Sequence, residues 1–189
     1  MSQTIPYCRL TYGDELQKIQ ALFSGEFVDN GFYVQSCMKH LSALVENKPV
    51  LLTDSCTNAL EIAAILADLK PGDEVIMPSF TFVTTATAFA IRGAVPVFVD
   101  CQPDTLNINP ELIEAAITPK TKAIVPMHYA AIGCEMEAIS DIAKRHHLLV
   151  IEDAAQCIDA RYQGKPLGTF GTFGAFSILR KDVNETMTE

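Results

Sequence analysis

The sequence predicts an α/β fold: a mostly parallel sheet with helices on both faces. Three observations carry this. Short apolar runs recur between residues 48 and 153, with segments of helical periodicity between them. The runs are apolar at nearly every position, as in strands buried on both sides. The connections carry Gly, Pro or Asn where a helix has to start or stop.

The elements follow in order. Residues 1–48 form a separate helical segment, because "DELQKIQALFSG" and "FYVQSCMKHLSALVENK" read as two amphipathic helices joined by "GEFVDNG". The α/β domain then spans 49–177. "KPVLLT" (48–53) reads as a first buried strand. "SCTNALEIAAILADL" follows as a helix with Leu60, Ala63, Ala64 and Ala67 on one face. Asn58 and Glu61 have the spacing of a capping box at its start. "KPGDE" turns into the strand "EVIMP" (74–78), which Pro78 stops. "VTTATAFAIRG" reads as a helix closing at Gly93. "AVPVFVD" (94–100) is the next strand. "NPELIEAAI" has Asn109 as N-cap and Pro110 at the first helical position. "KAIVPMH" (122–128) and "LLVIED" (148–153) are strands. Between them "CEMEAISDIAKRHH" puts acids early and bases late, which suits a helix dipole. Gly168, Gly171 and Gly174 read as turns beside a strand.

Composition narrows the function. The 189 residues carry a net charge of −9, which argues against nucleic acid and anionic membranes as partners. The start "MSQTIPYCRL" has no signal-peptide pattern, and no apolar run approaches the roughly 18 residues of a membrane span. The six cysteines are scattered without zinc-ligand spacing, so reduced thiols in the cytoplasm and no metal site are expected.

In a parallel sheet, ligands bind at the carboxyl ends of the strands. Asp153 ends the most hydrophobic strand. A carboxylate there caps a helix, joins a buried salt bridge or faces a bound cation. The stretch "DSCTNALE" is either a well-capped helix start or a phosphate cradle of free N–H groups and a hydroxyl. It is not a P-loop, and no G-x-G-x-x-G follows the first strand. Phe80 and Phe82 follow a strand, where an aromatic either packs in the core or stacks on a flat ring. An anion cradle, a stacking aromatic and a strand-end carboxylate together fit pyridoxal phosphate (PLP), whose ring nitrogen has to stay protonated.

The stretches "VLLTDSCTNALEIAA", "PGDEVIMPSFTFVTTATAFAIRGAVPVFVD", "LIEAAITPKTKAIVPMHYA" and "VIEDAAQ" resemble the fold-type-I, PLP-dependent sugar aminotransferases of the DegT/DnrJ/StrS group. The resemblance covers nearly all of residues 10–177. It implies the large domain of such an enzyme, incomplete here and without the small C-terminal domain, and a homodimer when full length. The implied reaction aminates a dTDP-4-keto-6-deoxy sugar with glutamate, for surface polysaccharide. Asp153 would pair with the ring nitrogen and Phe82 would stack on the ring. Cys56, through its backbone N–H, Thr57 and Ser177 would meet the phosphate. Gln156 would sit near the phenolic oxygen, and His128 and Tyr129 would line the substrate side. The stretch Gly25 to Phe32 matches a segment that approaches the nucleotide sugar.

The resemblance also implies a Schiff-base lysine five residues after the serine. Asp182 stands there. Lys181 is one place early, and a one-residue shift in an extended segment turns a side chain to the opposite face. Lys181 is therefore not assigned the catalytic role. No histidine follows Ser177 either, unlike relatives that act as dehydratases. With a divergent tail at 178–189, the expectation is a truncated, inactive aminotransferase. The alternative is a non-catalytic remnant that binds PLP, a phosphate ligand or a partner protein.

Overall fold

A computed structural model describes residues 15–24 and 31–178. Helices α1 (Glu15–Phe23) and α2 (Phe32–Leu44) form on the two amphipathic runs. Residues Met38–Ser177 make one compact unit, and α1 with the start of α2 belongs to another. Within the larger unit, α3 (Cys56–Leu66), β1 (Glu74–Pro78), α4 (Val83–Ala90), β2 (Val95–Val99), α5 (Pro110–Ala116) and β3 (Thr121–Ile124) follow in turn. Then come α6 (Met136–His146), β4 (Leu149–Ala154), β5 (Arg161–Tyr162), β6 (Lys165–Pro166) and β7 (Phe173–Phe176).

The main sheet has five strands in the order β2-β1-β3-β4-β7, and every neighbouring pair is parallel. Strand alternation divides the core. Val75, Met77, Val125, Ile151 and Ala175 face α3 and α4. Ile76, Ile124 and Val150 face α5 and α6 through Ile113, Met136 and Ile139. The direction of winding reverses between β1 and β3, so the crevice above that pair is the topological switch point.

Local chemistry sets the helix ends. Asn109 caps α5 by accepting the Glu111 N–H at 3.0 Å, with Pro110 first in the helix. Helix α6 carries Glu137 in its first turn and Lys144, Arg145 and His146 in its last. Helix α3 starts earlier than the Asn58–Glu61 spacing suggests. Ser55 is its N-cap, and its side chain accepts the Asn58 N–H at 3.1 Å.

The expected first strand at 48–53 does not form. A strand needs a ladder, and among the described residues no strand pairs with this segment. Instead the Ser42 hydroxyl donates to the Lys48 carbonyl at 2.8 Å, the Thr53 hydroxyl donates to the Ser55 carbonyl at 2.8 Å, and Leu51 is 70% exposed. Two features exceed the sequence reading. The glycine-spaced run at 173–176 is itself a strand, and β5 and β6 form a hairpin around Gln163 and Gly164, both at positive φ.

One carboxylate joins these late loops to the sheet. Glu152 on β4 is fully buried and faces the α6 side, opposite to its neighbour Asp153. Its Oε2 accepts from His128 Nε2 at 3.0 Å and from the Gly168 N–H at 2.8 Å, and its Oε1 accepts the Gly171 N–H at 2.6 Å. Beside it, Gly174 packs so closely that a Cβ there would lie 2.1 Å from the Gly168 carbonyl oxygen.

Glu152→Gln puts an amide NH2 against an N–H donor in a buried site, and the loss is expected to be about 3 kcal/mol. Gly174→Ala forces backbone apart, with an expected loss of about 3 kcal/mol. Gly72→Ala, at φ +89° with open space around it, loses only about 1 kcal/mol. Urea midpoints of the three variants check the order. Equal midpoints for Gly174→Ala and Gly72→Ala would refute the close approach.

Candidate active site

Because the five strands are parallel, their carboxyl ends share one edge, and the loops there are Ser79–Phe82, Asp100, His128–Ala131, Ala155–Gln156 and Ser177. Asp153 stands at the end of β4 on the α3/α4 face and is 3% exposed. The Thr85 hydroxyl of α4 donates to its Oδ2 at 2.6 Å, and the Ala155 N–H donates to its Oδ1 at 3.2 Å. No basic side chain forms a salt bridge with it among the described residues. Burial holds its carboxyl above the usual carboxylate range, while the Thr85 and Ala155 hydrogen bonds pull the other way. Among the described residues no helix follows β4 for Asp153 to cap, so with no basic partner either, the helix-cap and buried-salt-bridge readings both fail here.

The first turn of α3 lies near this carboxylate. Burial, and secondly the charge of Asp153, push the Cys56 thiol up to about 12, so it stays protonated. Ser55 uses its hydroxyl on the Asn58 N–H and its carbonyl on the Ala59 N–H. The N–H groups of Cys56 and Thr57 have no acceptor among the described residues. They are the free donors of a helix start. Ser177 follows β7, whose Phe176 pairs with Ala154. It lies one residue past the end of the strand and is half-buried.

Phe82 is the N-cap residue of α4 and is 68% exposed, and its carbonyl accepts the Thr85 N–H at 2.9 Å. It is thus one helical turn from the group that bonds Asp153. Phe80 behaves differently, packing edge-on against Tyr129 with ring centroids 5.1 Å apart, across the β1–β3 crevice. Gln156 turns its Oε1 to the Ala130 N–H at 2.6 Å, which leaves Nε2 as its donor.

His128 lies elsewhere than the substrate-lining expectation put it. Its ring is fully buried. Nδ1 accepts the Cys134 N–H at 3.1 Å, so the proton sits on Nε2, which meets Glu152. The ring is committed below the loop and offers nothing to a ligand. Tyr129 is half-buried at the same crevice, with its N–H on Asn107 Oδ1 at 2.9 Å. Lys181 and residues 25–30 lie outside the described residues. Among those described, no His/Cys/Asp/Glu group suits a metal ion, and no helix is long and apolar enough to cross a membrane.

Three residues were missed from sequence: Thr85, Glu152 and Asn107. Thr85 had a usable signal. It shares the buried stripe of α4 with Ala88 and Phe89, where a hydroxyl has to find a partner.

The sequence matches the DegT/DnrJ/EryC1/StrS aminotransferase family over residues 11–181. It is similar to the spore coat polysaccharide biosynthesis protein SpsC of Bacillus subtilis (strain 168), with 39% identity over 92% of this chain and 45% of that protein. It is similar to the pleiotropic regulatory protein of Geobacillus stearothermophilus, with 48% identity over 79% of this chain and 40% of that protein. Among solved structures it resembles NtdA from Bacillus subtilis with bound cofactor PMP, with a TM-score of 0.75 and 39% identity over 80% of this chain and 35% of that one. The chain spans less than half the length of the curated relatives it matches. With the whole of its α/β unit inside the match, the chain belongs to the DegT/DnrJ/EryC1/StrS aminotransferase family.

Proposed function

We propose that this chain supplies the cofactor seat of a nucleotide-sugar aminotransferase. The enzyme moves the amino group of glutamate to a dTDP-4-keto-6-deoxy sugar, giving the 4-amino sugar for surface polysaccharide, and works as a homodimer. Enzymes of this family use pyridoxal phosphate, and solved relatives include PLP and PMP forms. The polysaccharide role of SpsC supports the sugar part of the reading.

The observation that carries the proposal is Asp153, a buried carboxylate without a basic partner among the described residues. Such a group is costly unless a cation arrives with the ligand. Bound PLP supplies an electron sink and a carrier for the amino group. The residues of the seat fit it. Asp153 would hold the proton on the ring nitrogen. The free N–H groups of Cys56 and Thr57, with the Ser177 hydroxyl, would take the phosphate. Exposed Phe82 offers a flat face to the ring, and Gln156 Nε2 offers a donor to the phenolic oxygen. The protonated Cys56 thiol adds no negative charge beside the phosphate.

Titration of PLP into the purified protein, followed by cofactor absorbance, tests the seat. Saturable binding is expected, and none up to about 1 mM would overturn it. Because Lys181 is not assigned the Schiff-base role, this chain by itself is expected to form no amino sugar from dTDP-4-keto-6-deoxyglucose and glutamate, and turnover would overturn that expectation; light scattering tests the dimer.

A sharper prediction concerns Asp153→Asn. The folded carboxyl sits above its unfolded value, so ionising it costs stability. That cost is absent below the unfolded value. It grows as pH rises towards the folded value and is present in full above it. Asn carries no such cost. At neutral pH the removal of this cost is expected to raise the Tm of the cofactor-free protein. Its PLP affinity is expected to fall at least about tenfold through the lost ring-nitrogen contact. Calorimetry and the PLP titration read the two effects, and a variant that loses both stability and affinity would argue for a purely structural Asp153.

A further inference from the structure

Thr85 has no role in the cofactor seat as described, yet its hydroxyl makes the shortest contact to the Asp153 carboxylate, 2.6 Å from Oδ2. It is fully buried, so water does not substitute for it. Thr81, half-buried in the loop before α4, donates its own hydroxyl to Thr85 Oγ1 at 2.9 Å. With the Thr81 proton arriving on its oxygen, the Thr85 proton is directed to Asp153. Two O–H groups in series thus point at one carboxylate oxygen, and each strengthens the other in a dry environment.

The second carboxylate oxygen takes the Ala155 N–H. Both oxygens are therefore held from the protein side, and their remaining lone pairs are left for a ligand. The titratable groups around Asp153 are Cys56 on α3, Cys157 after β4 and His128 after β3. Burial keeps the Cys56 and Cys157 thiols protonated. Neither sulfur supplies a proton-donating bond to Asp153 among the described residues, and His128 uses its ring on Glu152 and Cys134. Thr85 is the only side-chain donor that Asp153 has among the described residues.

We propose that Thr85, primed by Thr81, is the positioning residue for Asp153. It fixes the carboxylate's orientation and favours its ionised form, and so keeps a proton on the ring nitrogen of bound PLP. The first half of this stands on the hydrogen bonds alone. The second half rests on the cofactor seat proposed above.

The test uses Thr85→Val, which keeps the shape and removes the hydroxyl, and Thr85→Ser, which keeps the hydroxyl. In the cofactor-free protein, carbon-13 NMR of labelled Asp carboxyls follows Asp153, assigned with Asp153→Asn. Thr85→Val is expected to make Asp153 about tenfold weaker as an acid, and Thr85→Ser to stay within about twofold of the natural protein. With PLP labelled at the ring nitrogen, the nitrogen-15 shift is expected to move from the protonated range toward the unprotonated range in Thr85→Val, with Thr85→Ser restoring it. A change in Tm with the Asp153 titration at its natural position would overturn the proposal, because a packing role moves only the former. Failure of the natural protein to bind PLP would remove the cofactor seat, and the Asp153 titration would still decide the role of Thr85. If Thr85→Val does not fold, Thr81→Val decides instead. About threefold weaker acidity at Asp153 supports the hydroxyl series, and none overturns it.

Discussion

Two carboxylates stand side by side on β4, and the alternation of the strand sends them to opposite faces of the sheet. The rest of the strand-end region depends on how differently they are satisfied. Glu152 meets a histidine and two backbone N–H groups, so its buried charge is compensated by the protein itself. That compensation draws the loop after β3 and the loop before β7 onto β4. Asp153 meets one hydroxyl and one N–H, which is too little for a buried carboxylate on its own. One carboxylate is satisfied within the protein, and the other is left short of partners among the described residues.

The topology gives this contrast its place. Parallel strands bring every carboxyl end to one edge, and each following helix begins there, so free N–H groups and strand-end side chains meet at that edge. Helix α3 adds its start to the same face as Asp153, which is why the Cys56 thiol feels that carboxylate. Phe80 and Tyr129 bridge the reversal between β1 and β3. They hold the two loops that border the crevice and leave the neighbouring Phe82 exposed. An aromatic pair of this kind adds about 0.5–1.5 kcal/mol beyond its buried area.

The layers, the strands β1 to β4, the Asn109 cap and Pro110 at the start of α5 were legible because each rests on local pattern. Asp153 was legible because a charge at the end of an apolar strand conflicts with its surroundings. The segment 48–53 was misread for the opposite reason, since a strand-like sequence does not supply a neighbour to pair with. His128 was expected to line the substrate side from the family resemblance. Position alone does not say whether a ring turns up into the crevice or down onto Glu152, and that choice depends on a carboxylate 24 residues away. Thr85 and Asn107 were hidden similarly, as their partners Asp153 and Ile132 are distant in sequence.

Register is the last link between packing and site. Gly174 pairs with Glu152 and touches the Gly168 loop, so β7 has one way to lie against β4. That register puts Ala175 opposite Asp153 and ends at Phe176, one residue before Ser177. A slip by one residue would bring Phe176 toward α3, where the small Ala175 now packs. The glycine contact and the Glu152 hydrogen bonds oppose that slip together. The loop that closes around a compensated carboxylate thereby decides which side chain of β7 stands opposite the uncompensated one.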